Sequence, residues 1–192
     1  MTRERSAVGA PASRCQTETM YSVDERDTVI ELKDFPQASV GAPCPVVMAD
    51  ENQLFVAYYV GIVDPRWTGS TIGVVDPGST DEPVAVVAFP SYRAFMFGPP
   101  NDEAFSGHPL ASRGLSPYSV FEVRQSSWIR GLERMNAVHP YHRPEMFSSL
   151  RHFVFAFHDS TFECVAKDYA IEVRRGPVLD ALDTMKLRLR AG

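Results

Sequence analysis

Two broad classes of protein are excluded by what this 192-residue sequence lacks. It contains no apolar run near the ~20 residues that a membrane-spanning helix requires. It also lacks an excess of basic residues, since its formal net charge is -5, whereas proteins that bind nucleic acid usually carry a basic surface. We therefore expect no membrane insertion and no nucleic-acid partner.

The sequence also lacks the familiar motifs of nucleotide, metal and serine-nucleophile sites. It has no GxGxxG, Walker A, HExxH or EF-hand pattern, so we expect no cofactor. A serine nucleophile at Ser106 or Ser127 would lack the G-x-S-x-G turn. His139 and His142 flank Pro140, which interrupts the helical spacing that a pair of zinc ligands needs. A surface loop is the expected structure for that histidine pair.

Cysteine is scarce, with only three in the chain. Cys15, Cys44 and Cys164 are odd in number and match no CxxC pattern of a zinc or redox site. The sequence therefore predicts free thiols and a location in the reducing cytoplasm.

Residues 1–24 differ in composition from the rest of the chain. They are rich in Ser, Thr, Ala, Arg and Glu, follow no apolar period and contain no hydrophobic segment of a secretory signal. We expect a disordered leader over residues 1–24, followed by a single domain over residues 25–192, because a chain of this length suits one core.

Short runs of β-branched and aromatic residues, separated by turn residues, fill much of the chain. Their close spacing favours antiparallel strands. Apolar stripes at helical spacing predict two helices, over residues 127–138 and 177–190. The predicted fold class is α+β, a strongly twisted antiparallel sheet or partial β-barrel of about seven to nine strands with two packed helices.

The clearest chemical signal is the segment HFVFAFHDSTFECVA, residues 152–166, which predicts a β-hairpin. Pairing Phe157 with Phe162 places the aromatic side chains on a core face. In that register Glu163 lies diagonal to His158 on the opposite face, within the ~7 to 8 Å over which long side chains meet. Because a carboxylate raises the basicity of an imidazole and fixes its tautomer, we predict that His158 is a catalytic base and Glu163 its orienting partner. The alternative is a solvated cross-strand pair.

A second concentration of polar groups lies in the long segment 97–118. Loops longer than ~12 to 15 residues inside a compact domain are usually functional or disordered. If this segment folds over the tip of the hairpin, its polar side chains share one pocket with the hairpin residues. The alternative is that Asn101 and Asp102 only cap a short helical turn. The predicted ligand-positioning residues are Asp102, Glu103, His108 and Asp159.

Three motifs in the same order, NDEAFSGHPL, FEVRQSSWI and HFVFAFHDSTFECVA, resemble a widespread family of uncharacterised bacterial proteins. The likeness covers about residues 40–175. It implies a bacterial, freestanding domain, and it implies no activity, cofactor or site residue for this chain.

The preferred function hypothesis is small-molecule binding, with acid–base catalysis by His158 and Glu163. One alternative is a non-catalytic interaction module that presents Trp67 and Trp128 to a protein partner. Another is a metal-dependent enzyme with His108, His158 and Glu163 as ligands.

Overall fold

The computed structural model describes residues 21–61 and 75–191. The described residues form nine β-strands, three α-helices and two short 3-10 helices. The strands are β1 (Thr28–Glu31), β2 (Val46–Ala49), β3 (Gln53–Tyr59), β4 (Pro83–Pro90), β5 (Ala94–Gly98), β6 (Val120–Arg124), β7 (Arg151–Ala156), β8 (Thr161–Ala166) and β9 (Ala170–Arg175). The helices are α1 (Ser127–Asn136), α2 (Glu145–Ser148) and α3 (Asp180–Ala191).

The strands form two antiparallel sheets rather than one. The first sheet has the order β1-β6-β7-β8-β5 and the second the order β2-β3-β4-β9. Every residue of β3 after the first is buried, so this strand needs cover on both faces, which a stacked second sheet and a helix supply. The α+β class is confirmed.

Aromatic side chains fill the space between the two sheets. Phe153, Phe155 and Phe162 of the β7–β8 hairpin are fully buried there. Their rings pack against Phe89 of β4 at centroid distances of 5.5 to 6.1 Å. The predicted core face of the hairpin is confirmed.

The outer faces of the two sheets are covered differently. Met185 and neighbouring apolar residues of α3 cover the second sheet, as the helical stripe predicts. The first sheet is covered by Tyr21, by Leu110 of the long loop and by Trp128 of α1. Polar side chains are buried between the first sheet and the residues that cover it, and they form the candidate site.

The β7–β8 register differs from the predicted one by two residues. Phe162 pairs with Phe155, and the backbone N–H of Phe157 donates to the carbonyl of Ser160 at 2.9 Å. The hairpin therefore closes on the two residues between them, a tighter turn than we assumed. Because side chains alternate along a strand, a shift of two keeps each residue on its predicted face and changes only its neighbours.

Helix α1 begins where Ser126 accepts a hydrogen bond from the backbone N–H of Ile129 at 3.3 Å, as an N-cap residue does. Its bounds agree with the prediction to within two residues. Helix α2 follows the turns of His139 and His142 and was not predicted. No helix among residues 21–61 and 75–191 is long and apolar enough to cross a membrane.

The chain is packed before residue 25. Tyr21, which we assigned to the leader, is 8% exposed and stacks on Trp128 at a centroid distance of 5.6 Å. The rest of the predicted leader up to residue 20, together with Trp67, lies outside the described residues, and so does Cys15.

Candidate functional site

Glu163 is a buried carboxylate at the centre of a cluster of hydrogen bonds. It lies on the outer face of β8 and is 1% exposed. Tyr21 donates its hydroxyl to Oε2 at 2.7 Å. Nε2 of His152 lies 2.8 Å from Oε2, and Nε2 of His108 lies 3.1 Å from Oε1. The N-terminal segment, the long loop and both hairpin strands thus meet at one side chain.

The partners of the two imidazole rings fix their tautomers. Nδ1 of His108 accepts a hydrogen bond from the backbone N–H of Leu110 at 3.1 Å, so its proton is on Nε2, facing Glu163. Nδ1 of His152 lies 2.9 Å from the hydroxyl of Ser126. In a neutral His152 ring whose Nε2 donates to Glu163, Nδ1 accepts the proton of Ser126.

Three donors therefore surround one carboxylate. Burial alone raises the pKa of Glu163. The hydrogen bonds from His108 and His152, together with their electrostatic attraction for the carboxylate, outweigh burial and hold that pKa below its usual range, at about 2. Burial and the neighbouring carboxylate raise the pKa of Tyr21. The cluster consequently contains an ionised Glu163 beside a protonated tyrosine hydroxyl, with the buried charge stabilised by donated hydrogen bonds.

The cluster is shielded by aromatic rings. The Tyr21 and Trp128 rings are nearly parallel, and both meet the His152 ring edge-on, at 5.6 and 5.0 Å. His152 is fully buried and His108 is 4% exposed. Among the described residues, neither imidazole that contacts Glu163 is therefore exposed to solvent.

A second, exposed group of ionisable side chains lies at the tip of the hairpin. Nδ1 of His158 is 2.9 Å from Asp159, and its Nε2 is 4.0 Å from Asp102. The hydrogen bond to Asp159, opposed by slight burial and supported by Asp102, raises the pKa of His158. Tyr118 donates to Asp102 at 2.5 Å and lowers the pKa of that carboxyl.

The long loop does fold over the hairpin. The backbone N–H of Asp102 donates to the carbonyl of His158 at 2.9 Å, and Thr161 donates to the carbonyl of Pro100 at 2.8 Å. Asn101 also accepts from the N–H of Ala104 at 3.1 Å, but no side chain caps the 3-10 helix Phe105–Gly107 that follows, so the capping alternative is not what the structure shows.

The predicted site residues divide between these two groups. His108 and Glu163 belong to the buried cluster, whereas Asp102, Asp159 and His158 lie together at the hairpin tip. Glu103 is exposed beside them. The predicted bond between His158 and Glu163 is not formed, because the shifted register makes His152 the diagonal neighbour of Glu163.

The structure does not assemble the predicted set of metal ligands. His108 and Glu163 contact each other directly, while His158 is bonded to Asp159. Within the described ranges, no group of three or more His, Cys, Asp or Glu side chains is arranged to hold a metal ion.

A surface cavity of about 750 Å³ lies between the end of β6 and the helices α1 and α2. Its wall combines apolar side chains with charged ones. Ile129, Phe147 and Leu150 supply apolar surface, Arg130 and Arg151 supply guanidinium groups, and three glutamates supply carboxylates. None of the six predicted site residues lines it.

Several polar contacts support the charged part of the wall. Arg124 and Arg151 both contact the buried carboxylate of Glu122, at 2.6 and 2.5 Å. Arg130 contacts Asp24 at 2.6 Å. Because each guanidinium has five N–H donors, these pairs leave donors that a ligand can use.

Sequence reasoning missed Ser126 and His152 as functional candidates. Either Ser126 or Ser127 was expected to cap helix α1, with no further role for Ser126. His152 shared a predicted sheet face with Glu163 but was two residues out of register. A two-residue turn at His158–Asp159 would have placed His152 beside Glu163. Tyr21 carried no local signal, because it lies in a segment without periodicity.

Comparison of the chain with protein-family models, curated proteins and solved structures gave no match. The resemblance to a bacterial family therefore stays a prediction, and the proposed function rests on the site itself.

Proposed function

We propose that this protein binds a small molecule in the cavity between β6, α1 and α2. The observation that carries the proposal is the cavity itself, whose volume of about 750 Å³ falls within the roughly 300 to 1,000 Å³ typical of ligand pockets. We further propose a reducing, cytoplasmic setting, which the free thiols of Cys44 and Cys164 support.

The lining favours a ligand with two kinds of surface. Ile129, Phe147 and Leu150 would pack against an apolar portion, while Arg130 and Arg151 would donate hydrogen bonds to acceptor oxygens. Carboxylic acids and esters with a short apolar chain or a ring have both features. The ligand class is therefore an oxygen-rich head group on a small apolar body.

Binding can be tested with the full-length chain by two-dimensional NMR against a library of short aliphatic and aromatic carboxylic acids and their esters. We expect saturable shifts confined to residues of the cavity wall. Ser149 is exposed and lines the cavity, so Ser149→Trp should fill it and abolish those shifts.

The matched control is Ser112→Trp, which adds the same side chain at an exposed serine outside the cavity. It should leave the shifts unchanged. Absence of saturable shifts with every library member, or shifts insensitive to Ser149→Trp, would contradict the proposal.

A protein-interaction module is the second candidate. Trp128 is packed against Tyr21, so the predicted tryptophan surface is not its basis. Instead, large apolar side chains are exposed near the end of α1 and in α2, where Met135 is 74% and Val138 90% exposed. If this surface is the functional one, Met135→Lys with Val138→Lys should disrupt partner binding that Ser149→Trp leaves intact, as pull-down from cell extract would measure.

A further inference from the structure

Ser126 connects the buried cluster to the cavity. Its hydroxyl is hydrogen-bonded to His152, and the same residue lines the cavity wall. Among the described members of the cluster, Tyr21, His108, His152 and Glu163 do not line it. Ser126 is itself only 2% exposed, and it is the described residue of the cavity wall whose side chain is hydrogen-bonded to the cluster.

We propose that the protein hydrolyses a carboxylic ester bound in this cavity, with Ser126 as the nucleophile and His152 as its base. Glu163 orients the His152 ring and stabilises its imidazolium form. This inference rests on the proposed binding of a small molecule in the same cavity. It replaces His158 as the base, because His158 contacts Asp159 and lies at the hairpin tip.

The contacts of His152 match the requirements of an activated nucleophile. A serine hydroxyl becomes nucleophilic when an unprotonated imidazole nitrogen accepts its proton and a third group orients the ring. The 2.8 Å contact with Glu163 keeps the imidazole proton on Nε2, and the 2.9 Å contact leaves Nδ1 to Ser126. The chain of contacts from carboxylate to hydroxyl is continuous.

The carboxylate is itself held in place. Tyr21 and His108 donate to it from two other elements, which restricts its rotation. A fixed, ionised Glu163 stabilises the imidazolium that forms when Ser126 gives up its proton. Tyr21 and His108 thus act through Glu163, as positioning residues that never touch a substrate.

The local backbone also resembles that of a nucleophile on a sharp turn between a strand and a helix. Gln125 separates β6 from Ser126 and has a φ of 50°, in the left-handed region that is uncommon for a non-glycine residue. This residue turns the chain so that Ser126 stands at the start of α1. The glycines of the usual motif are missing, and the left-handed residue is Gln125, whereas the φ of Ser126 is -53°.

The reaction can be written with every atom and proton assigned. Oγ of Ser126 attacks the ester carbonyl carbon and its proton moves to Nδ1 of His152. The tetrahedral intermediate expels the alcohol, which takes the proton from Nδ1. Water then attacks the acyl-serine and gives a proton to Nδ1. The carboxylic acid leaves as that proton returns to Oγ.

A fluorophosphonate probe tests this inference, because its phosphorus reacts with activated serines and loses fluoride. We expect the full-length protein to gain one phosphonyl group, detected by intact-protein mass spectrometry and located on Ser126 by peptide mapping. Ser126→Ala and His152→Ala should abolish the adduct. Ser126→Asn also removes the hydroxyl, but the asparagine side chain can still cap helix α1. Loss of labelling in this variant would therefore not result from loss of the helix cap.

Two further variants separate the proposed roles from general effects on folding. Glu163→Gln should slow labelling by on the order of 10²- to 10⁴-fold while leaving Ser126 in place. Ser127→Ala changes the neighbouring serine, whose hydroxyl has no hydrogen-bond partner among the described residues, and should label at the wild-type rate. Circular dichroism would confirm that each variant is folded under the assay conditions.

The results distinguish this inference from the binding proposal. Saturable ligand shifts without any adduct on Ser126 would overturn the nucleophile and leave the binding proposal standing. An adduct whose rate is unchanged in folded Glu163→Gln would overturn the proposed activation through His152 and Glu163. An adduct on Ser126 without ligand shifts in the cavity would overturn the binding proposal, and with it the assigned ester substrate. Hydrolysis of p-nitrophenyl butyrate by the wild type but not by Ser126→Asn would support both.

Discussion

Nε2 of His152 lies 2.8 Å from Oε2 of Glu163, and both side chains are shielded from solvent between the first sheet and its cover. The two residues are diagonal neighbours on β7 and β8, since Val154 pairs with Glu163 and His152 with Val165. Through His152, the buried charge of Glu163 is linked to the hydroxyl of Ser126, a residue of the cavity wall. The consequences for stability and for titration can be measured separately.

Removing the carboxylate should destabilise the fold. Glu163→Ala leaves the hydrogen-bond donors of Tyr21, His108 and His152 buried without their acceptor, at roughly 1 to 3 kcal/mol for each unsatisfied group. Allowing for relaxation, we expect the free energy of unfolding to fall by about 3 kcal/mol or more, measured by urea denaturation. Glu103→Ala, at an exposed position of the covering loop, is the control and should change it by less than about 0.5 kcal/mol.

The low pKa of Glu163 predicts a specific loss of stability in acid. Its pKa is about 2 in the folded protein, against an ordinary value of 4.5, so the unfolded chain takes up the proton first as the pH falls. The stabilisation from this group is complete above pH 4.5 and is lost as the pH falls towards about 2. Urea denaturation at several pH values should show that Glu163→Gln has a shallower pH dependence than the wild type in that interval. Equal slopes would contradict the assignment.

Tyr21 should stabilise the domain through its hydroxyl as well as its ring. Tyr21→Phe keeps the stacking on Trp128 and removes one hydrogen bond to a charged group, a class worth about 1.5 to 3 kcal/mol. We expect a decrease of that size in the free energy of unfolding. Tyr92→Phe removes an exposed hydrogen bond to the carbonyl of Asp50, so it is a matched control with a smaller expected effect.

The pKa of the exposed imidazole of His158 should depend mainly on Asp159. The hydrogen bond to Asp159 is the largest cause of its raised pKa, with a smaller contribution from Asp102. NMR titration should therefore show that Asp159→Asn lowers the pKa of His158 towards the ordinary 6.5. Asp183→Asn, on the exposed side of α3, should leave it unchanged, and a pKa of His158 unaffected by Asp159→Asn would refute the contact.

The hairpin shows how far sequence reasoning reaches in this fold. The alternation of aromatic residues in 152–166 identified the core face correctly, because side chains on a strand alternate whatever the register. The partner of Glu163 depended on the length of the turn, and both a two-residue and a four-residue turn fit the same pattern. Because of this ambiguity, the sequence predicted His158 rather than His152 as the partner of Glu163.

The division into two sheets and the involvement of Tyr21 depended on longer-range contacts. Nothing in the local pattern tells a strand of one twisted sheet from a strand of two stacked sheets. Tyr21 lies in a segment with no apolar period, and its burial depends on the stacking partner Trp128, more than a hundred positions away. The approach of the loop to the hairpin was only a condition of the predicted pocket, because no local pattern fixes where a long loop lies.

The tautomer of His152 tests the proposed activation of Ser126 most directly. A long-range ¹H–¹⁵N NMR spectrum of the full-length protein near neutral pH distinguishes the protonated nitrogen from the bare one. We predict a proton on Nε2, donated to Glu163, and a bare Nδ1 that accepts from Ser126. A proton on Nδ1 would show that His152 cannot receive the proton of Ser126, and it would contradict the proposed activation of this serine.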